Sequence, residues 1–347
     1  MSNKEMSLLS RAEFRDSVFK RDKNKCVFCD KAAIDAHHII ERKLWNDGGY
    51  YLNNGASVCE EHHLACERTD ISVEDVRIAC NITKPIIPEH FYNDVVYDKW
   101  GNIIQSNGSR LRGELYNDES VQKIIKNHLD LFVDYVKYPR TYHLPYSNGI
   151  NKDDKQLTNK KMLSLYSGKE IVITEKMDGE NTSLYNDYTH ARSIDSKNHL
   201  SRNWVKKFWN DNVSGNLPER WRICGENLYA KHSIGYDNLE SYFYGFSIWN
   251  EKNFCLSWTE TLEYFELLNI KPVKTLYQGI FDEKVIKDII NNMDTNKVEG
   301  FVLRLSSEFS YHEFKTSVAK FVRDNHIQTT QHWMHGQKVE PNQLIVK

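Results

Sequence analysis

The chain has 347 residues, 40% of them hydrophobic and 12% aromatic, with a formal net charge of −2. That length and composition allow two to three domains with real cores, and no apolar run approaches the ~20 residues of a membrane-spanning helix. Near-neutral total charge leaves nucleic-acid binding open, because only the binding groove has to be basic, whereas seven cysteines without a signal-peptide pattern argue against a disulfide framework and for reduced thiols in a cytosolic setting.

Residues 1–20 read as a helix, with Phe14, Val18 and Phe19 at helical spacing, suited to pack on the cysteine-containing segment after it. That segment opens with a knuckle, Cys26-Val27-Phe28-Cys29, and later has a second pair at the same spacing, Cys59-Glu60-Glu61-His62. Three thiolates and one imidazole so spaced make a closed tetrahedral zinc site. Between the pairs lie Asp35-Ala36-His37-His38-Ile39-Ile40 and Asn53-Asn54, and His63 adjoins the second pair. The remaining cysteines, Cys66, Cys80, Cys224 and Cys255, read as small core residues. Ser72 as N-cap with Glu74 and Asp75 in the first turn predicts a helix over 72–81. Pro85 and Pro88 mark a break, and 97–103 reads as a hairpin turning at Gly101. Val121, Ile124, Ile125, Leu129, Phe132 and Val136 predict one amphipathic helix over 118–136, joining two halves. Residues 139–161 are polar and loop-rich, including Asp153-Asp154-Lys155.

From there strands alternate with turns through residue 305. A β-branched run, Ile171–Thr174, leads into Glu175-Lys176-Met177-Asp178-Gly179-Glu180-Asn181. A lysine at the end of a buried strand is partly desolvated, which lowers its pKa and makes the amine a usable nucleophile. Farther on come His190-Ala191-Arg192-Ser193, Ile223-Cys224-Gly225-Glu226-Asn227-Leu228-Tyr229, Tyr242–Trp249, Lys297-Val298-Glu299-Gly300-Phe301-Val302-Leu303-Arg304, and Val318-Ala319-Lys320-Phe321-Val322-Arg323. Taken singly, such pieces are ordinary turns, hairpins and aromatic core strands. Basic clusters occur at Lys123 and Lys126, at Lys155, Lys160 and Lys161, and at Arg202, Lys206 and Lys207. The last is interleaved with Trp204, Phe208 and Trp209, and reads equally as nucleic-acid contact or as an amphipathic surface helix.

In this order the C-terminal pieces resemble the motifs of the covalent nucleotidyltransferases, and their wording is most similar to the ATP-dependent RNA ligases. The resemblance implies that Lys176 attacks the α-phosphate of ATP and carries AMP, with Glu175 and Asp178 beside it at the nucleotide. It implies Arg192 for phosphate, Glu226 for the ribose hydroxyls, Glu299 for a catalytic Mg²⁺ (or Mn²⁺), and an aromatic ring on the purine. That ring is Phe246, with Phe243 as the alternative, because Ser247 stands where the family usually has aspartate. The last motif is Lys-x-Lys in the family and Lys-x-x-Arg here; Lys320 is the expected triphosphate contact, with Lys315 as the alternative. The stretch after Lys320, with His326-Ile327-Gln328-Thr329 and His332-Trp333, is too short for an appended OB-fold.

The N-terminal constellation resembles the HNH endonucleases. That resemblance implies a ββα-metal module on a Zn²⁺ scaffold of Cys26, Cys29, Cys59 and His62. His38 would be the general base and Asn54, favoured over Asn53, would orient it, while His37 and His63 hold a divalent metal. The expected fold class is α+β: an HNH-like zinc module over 1–115, a linker helix over 116–136, and a ligase core over 137–347 built of antiparallel sheets with flanking helices and no OB-fold. The expected function is ATP-dependent RNA joining through lysyl-AMP, coupled to nuclease cutting, in nucleic-acid repair, processing or defence. RNA is the expected partner of the ligase half and DNA or RNA of the nuclease half. The alternatives are a nuclease whose second half senses ATP or passes a nucleotide to another acceptor, and a zinc-built DNA-binding protein.

Overall fold

The computed structural model describes residues 7–150, 154–323 and 339–345. Asp153 and the stretch containing His326 and Trp333 lie outside the described residues, as does the beginning of the expected N-terminal helix. The chain forms two compact units, Met1–Asp134 and Tyr135–Lys347. Among the described residues no helix is long and apolar enough to cross a membrane.

The first unit opens with helix α1 (Arg11–Arg21), started by a capping box in which Ser10 and Glu13 satisfy each other's backbone N–H groups. Strands β1 (Asp35–His38) and β2 (Gly55–Val58) pair antiparallel, Asp35 opposite Val58 and His38 opposite Gly55. Helix α2 (Glu60–Glu67) comes directly after β2 and completes a ββα unit. Phe14 and Val18 of α1 bury against Ala36 of β1, the packing expected of the lead-in helix. Helix α3 (Val73–Ala79) is capped by Ser72, as predicted. The 97–103 turn also forms: Tyr97 bridges Ile103, and Gly101 takes φ +80°, which favours glycine. A short ladder pairs β3 (Ile103–Ile104) with β4 (Arg110–Leu111).

The single helix expected over 118–136 is not formed. Helix α4 (Glu119–Ile124) stops after six residues and passes into a 3₁₀ segment, Lys126–Leu131. Val121 and Ile125 pack with Trp100 in the first unit, while Leu129 stays 38% exposed. The apolar stripe therefore lacks one continuous surface to cover, and packing overrides periodicity. Val136 is in the second unit, where its N–H donates to the Tyr185 hydroxyl.

In the second unit the elements run β5 (Tyr142–His143), α5 (Asn159–Tyr166), β6 (Glu170–Lys176), β7 (Glu180–Tyr185), β8 (Thr189–Ala191), α6 (Asn203–Asn212) and β9 (Arg222–Asn227). They continue as β10 (Phe243–Trp249), β11 (Phe254–Cys255), α7 (Trp258–Leu267), β12 (Lys271–Pro272), β13 (Thr275–Ile280) and α8 (Glu283–Asn292). Last come β14 (Gly300–Leu305), β15 (Phe309–Ser310), α9 (Phe314–Ser317) and β16 (Val318–Val322). Helices α7 and α8 stand in a stretch that reads as strands and turns, whereas α6 is the amphipathic helix that the Arg202, Lys206 and Lys207 cluster left open.

Two sheets result. One has the order β15-β11-β10-β9-β7-β8 with β12 paired to β10, the other β13-β6-β14-β16-β5. Pairing is antiparallel except at β10–β12 and β16–β5. Buried residues of both sheets, among them Ile171, Ile173, Cys224, Trp249, Phe301 and Leu303, join one core. A second cluster lies where α6 and α7 cover the first sheet, around Val205, Ile223, Phe243 and Phe265.

Candidate functional site

The second sheet fixes the candidate ATP site by register. Lys176 ends β6 opposite Gly300, and Glu299 immediately precedes that glycine. Lys176 Nζ donates to Glu299 Oε2 at 2.5 Å, and Glu299 is buried. Opposed residues of paired strands share a face, and successive residues alternate. Lys320 of β16 lies opposite Val302, which lies opposite Thr174, so Lys320 shares the Lys176 face. Lys320 is half-buried where Lys315 is exposed, which favours Lys320 of the two. Glu175 lies opposite Phe301 on the other face of β6, so the structure does not bring its side chain to Lys176.

The turn after Lys176 is held from several sides. The Asp178 carboxylate accepts from Ser233 Oγ at 2.6 Å and from the Ile234 N–H at 2.9 Å. The Asp178 N–H donates to the Tyr236 hydroxyl at 2.9 Å. The Gly179 N–H donates to Glu226 Oε1 at 3.2 Å. A Cβ on Gly179 would sit 2.6 Å from the Asn227 carbonyl oxygen, so only glycine lets β9 approach this closely.

The first sheet supplies Glu226 and Phe246. A β-bulge in β10 between Gly245 and Ser247 inserts Phe246 as an extra residue. Phe246 is half-buried and edge-on to Tyr138 at 5.2 Å, while Phe243 is fully buried in the other core cluster. The bulge thus separates the two aromatics that the sequence left open: Phe243 is fully buried in the core, and Phe246 keeps part of its surface exposed. Arg192 is exposed just beyond β8 and close enough to Lys320 to depress its pKa. Asn181 lies opposite Glu226 on β7, its Oδ1 buried without a hydrogen-bond partner. It follows Lys176 by five residues, but nothing local in the sequence reveals which way it faces. Arg202, which reads in the sequence as part of a basic cluster, is instead buried and forked onto Glu180.

Electrostatics corrects one expectation. Burial opposes the Lys176 charge, but the Glu299, Glu226 and Asp178 carboxylates outweigh it, and the amine's pKa lies above the ordinary lysine value. In this state Lys176 is protonated rather than poised as a free amine. Burial pushes the Glu226 carboxyl up to about 8, with Lys176 opposing and Glu299 adding to the rise. Burial holds Lys320 below its usual value.

In the first unit, Cys26, Cys29, Cys59 and His62 converge. Their separations are 3.8 Å between the Cys29 and Cys59 sulfurs, and 3.5, 3.7 and 3.2 Å from His62 Nδ1 to Cys26, Cys29 and Cys59. A tetrahedron with zinc–sulfur bonds of ~2.3 Å has sulfur–sulfur edges of ~3.8 Å and sulfur–nitrogen edges of ~3.5 Å. The donor set fits zinc. A hydrogen bond from the His62 backbone already draws the Cys59 thiol down to about 6.

Beside it, His37, His63 and Glu67 bring ligand atoms within 4.8 Å of one another. Glu67 was missed, although it stands four residues after His63 on α2 and so on the same helix face. Buried Lys99 reaches Glu67 Oε1 at 3.1 Å and donates to the His38 carbonyl at 2.8 Å. Burial, reinforced by Lys99, holds His37 down to about 3 and His38 to about 4, so both are neutral. His38 is not among the clustered donors. It faces the other side of β1, stacked on Phe14 at 4.6 Å, with its Nε2 buried and without a hydrogen-bond partner. Asn54 is buried and bonds the Ile40 N–H, the Ile40 carbonyl and the Gly49 carbonyl, so it pins the loop after His38 rather than the ring. Asn53 instead reaches the Lys84 carbonyl.

Residues 169–322 match the family model described as RNA ligase. The segment runs from β6 to β16 and contains Lys176, Asp178, Arg192, Glu226, Phe246, Glu299 and Lys320. Among solved structures, the chain is similar to an ATP-dependent DNA ligase candidate from Aquifex aeolicus, at 20% identity over 55% of this chain and 50% of that one, with a TM-score of 0.40. It is also similar to a Naegleria gruberi RNA ligase with pyrophosphate, at 16% identity over 60% and 67%, TM-score 0.38. A third likeness is to an archaeal ATP-dependent RNA ligase, at 14% identity over 75% and 64%, TM-score 0.40. The chain thus spans half the length of the Aquifex protein. No curated protein matches the chain.

The raised Glu226 pKa makes stability depend on pH. The folded value is about 8 against an ordinary 4.5 for a glutamate, so the folded state retains a proton that the unfolded chain has released. The resulting stability is fully present below the unfolded pKa and is lost as pH rises through the folded one. In nucleotide-free protein, Glu226→Gln should melt increasingly above wild type as pH goes from about 5 to about 8.5; parallel melting curves would refute the assignment. For the metal scaffold, structural zinc is worth roughly 10–16 kcal/mol of apparent binding in small modules. Metal analysis should find zinc in the wild type and almost none in Cys59→Ala, whose first unit no longer unfolds cooperatively. Undiminished zinc in that variant would rule out the four-ligand site.

Proposed function

We propose that the protein is an ATP-dependent RNA ligase that works through a lysyl-AMP adduct on Lys176. The observation that carries this reading is the Lys176–Glu299 pair at the mouth of the second sheet, with Glu226 behind it and Lys320 on the same face. In the first step the Lys176 amine, after losing its proton, forms a bond to the α-phosphorus of ATP as the bond to the β-phosphate oxygen breaks and pyrophosphate leaves. A divalent cation at Glu299, Mg²⁺ or Mn²⁺, would neutralise phosphate charge there. Lys320 and Arg192 supply cations for the phosphates, and Glu226 a half-buried acceptor or donor for ribose hydroxyls. Phe246 offers a ring face to the base. AMP then passes to a 5′-phosphate end, and a 3′-hydroxyl displaces it to seal the strand.

The test is joining of a nicked RNA duplex, with DNA and hybrid duplexes alongside. Wild type should seal the RNA nick. Glu299→Ala should lose two or more orders of magnitude, since a lost charge at a phosphoryl-transfer site removes several kcal/mol. Full sealing by Glu299→Ala would contradict the assignment, and transfer of AMP without any sealing would favour another acceptor.

The first unit supports a second activity. Its ββα frame sets the zinc-type cluster beside His37, His63 and Glu67, donors suited to a divalent cation. The reading is a metal-dependent nuclease of the HNH kind, on DNA or RNA, in which the His38 ring, turned to the Phe14 side of β1, would have to swing to the metal side to act as base. His38→Ala should keep its zinc and lose roughly 10²- to 10⁴-fold in cleavage with Mg²⁺ or Mn²⁺, and His37→Ala should likewise fail. Unchanged cutting by His38→Ala would move the base elsewhere.

A further inference from the structure

The geometry points to Asn342 as a positioning residue for adenylate formation: the segment 340–345 fastens the loop that holds the Lys176 turn. The inference rests on the ligase reading and adds a residue that lies far from every motif. Asp178 and its backbone are gripped by Ser233, Ile234 and Tyr236. Those three residues sit on the loop between β9 and β10, so what fixes the loop fixes the turn.

Asn342 fixes it. The residue is 3% exposed, and its side chain bonds the start and the middle of the loop. Its Nδ2 donates to the Leu228 carbonyl at 2.7 Å and to the Ala230 carbonyl at 3.5 Å, while its Oδ1 accepts from the Tyr236 N–H at 2.9 Å. The backbone repeats the pattern: the Asn342 N–H donates to the Tyr229 carbonyl, and its own carbonyl accepts from the Tyr242 hydroxyl at 2.8 Å. The Gln343 N–H donates to the Tyr236 carbonyl and the Ile345 N–H to the Leu239 carbonyl. Leu344 packs in the cluster that contains Met177, between Lys176 and Asp178. Tyr236 is the joint, bonded to Asn342 through its backbone and to Asp178 through its hydroxyl.

No nucleotide contact is assigned to Asn342. Its loss loosens the turn without removing a ligand group, so the rate of attack should fall more than the apparent affinity for ATP. Misplacement of a reacting group by about 1 Å can cost up to ~10²-fold. The experiment is single-turnover adduct formation with ATP and Mg²⁺ on full-length wild type, Asn342→Ala, Tyr236→Phe and the double variant, with Glu340→Ala as control. The Glu340 side chain adds only an exposed ion pair to Lys231, its backbone carbonyl keeps its bond to the Lys231 N–H in the variant, and Glu340→Ala should react at the wild-type rate. Asn342→Ala should react about ten- to a hundredfold more slowly at saturating ATP, with half-saturation shifted less than about threefold. The double variant should be no slower than the slower single, because both losses pass through Tyr236. A wild-type rate in Asn342→Ala overturns the inference and leaves the ligase reading standing. So do independent, multiplying losses, or an effect confined to ATP half-saturation. Absence of any adduct in wild type overturns the ligase reading and this inference with it. If circular dichroism shows Asn342→Ala unfolded, Asn342→Ser takes its place in the same cycle.

Discussion

A half-buried lysine facing a buried glutamate is the constraint on which the second unit turns. Lys176 and Glu299 are 123 residues apart and meet only because β6 and β14 pair in one register. A slip of one residue would carry Lys176 to the opposite face, among Ile171, Ile173 and Phe301. Separating the pair would leave a buried charge uncompensated, which costs several kcal/mol. The sheet, the Gly179 approach to β9 and the grip on Asp178 all keep that register. The same pair sets the chemistry. Carboxylates that hold the amine protonated also make its reactivity depend on what else enters the site. An amine held this way would have to lose its proton before it could attack.

The two units solve different problems. The second has apolar strands enough for a core shared by two sheets, and it can hold a polar site on that scaffold. The first has short strands and short helices, whose buried residues fall into separate small clusters such as those around Phe14 and around Trp100. A metal held by its cluster of three cysteines and one histidine would add stability in a few residues. The His37, His63 and Glu67 cluster stands beside that scaffold, linked to the rest of the unit through Lys99.

Much of the site was legible in the sequence because its residues sit in short, ordered runs. Lys176, Glu226, Glu299 and the zinc-type donors fall in local patterns whose spacing carries their chemistry. Strand alternation and pairing are less visible. Glu175 adjoins the lysine in sequence but faces away, and His38 adjoins His37 with the same result. Phe243 and Phe246 differ in burial across a bulge in β10, and a bulge leaves no mark in composition. The sign of the Lys176 shift needed Glu299, Glu226 and Asp178 placed around it, since burial alone predicts the opposite. The helix expected over 118–136 failed for lack of one surface for its stripe. Asn342 was invisible because its partners lie more than a hundred positions away.

The central claim is that the Lys176 amine is the nucleophile. The most direct measurement is peptide mass mapping after incubation with ATP and Mg²⁺, carried out under alkaline conditions that preserve a phosphoamide. One AMP should be found on the peptide containing Lys176, with acid releasing it. AMP on any other residue, with Lys176 unmodified, would contradict the account.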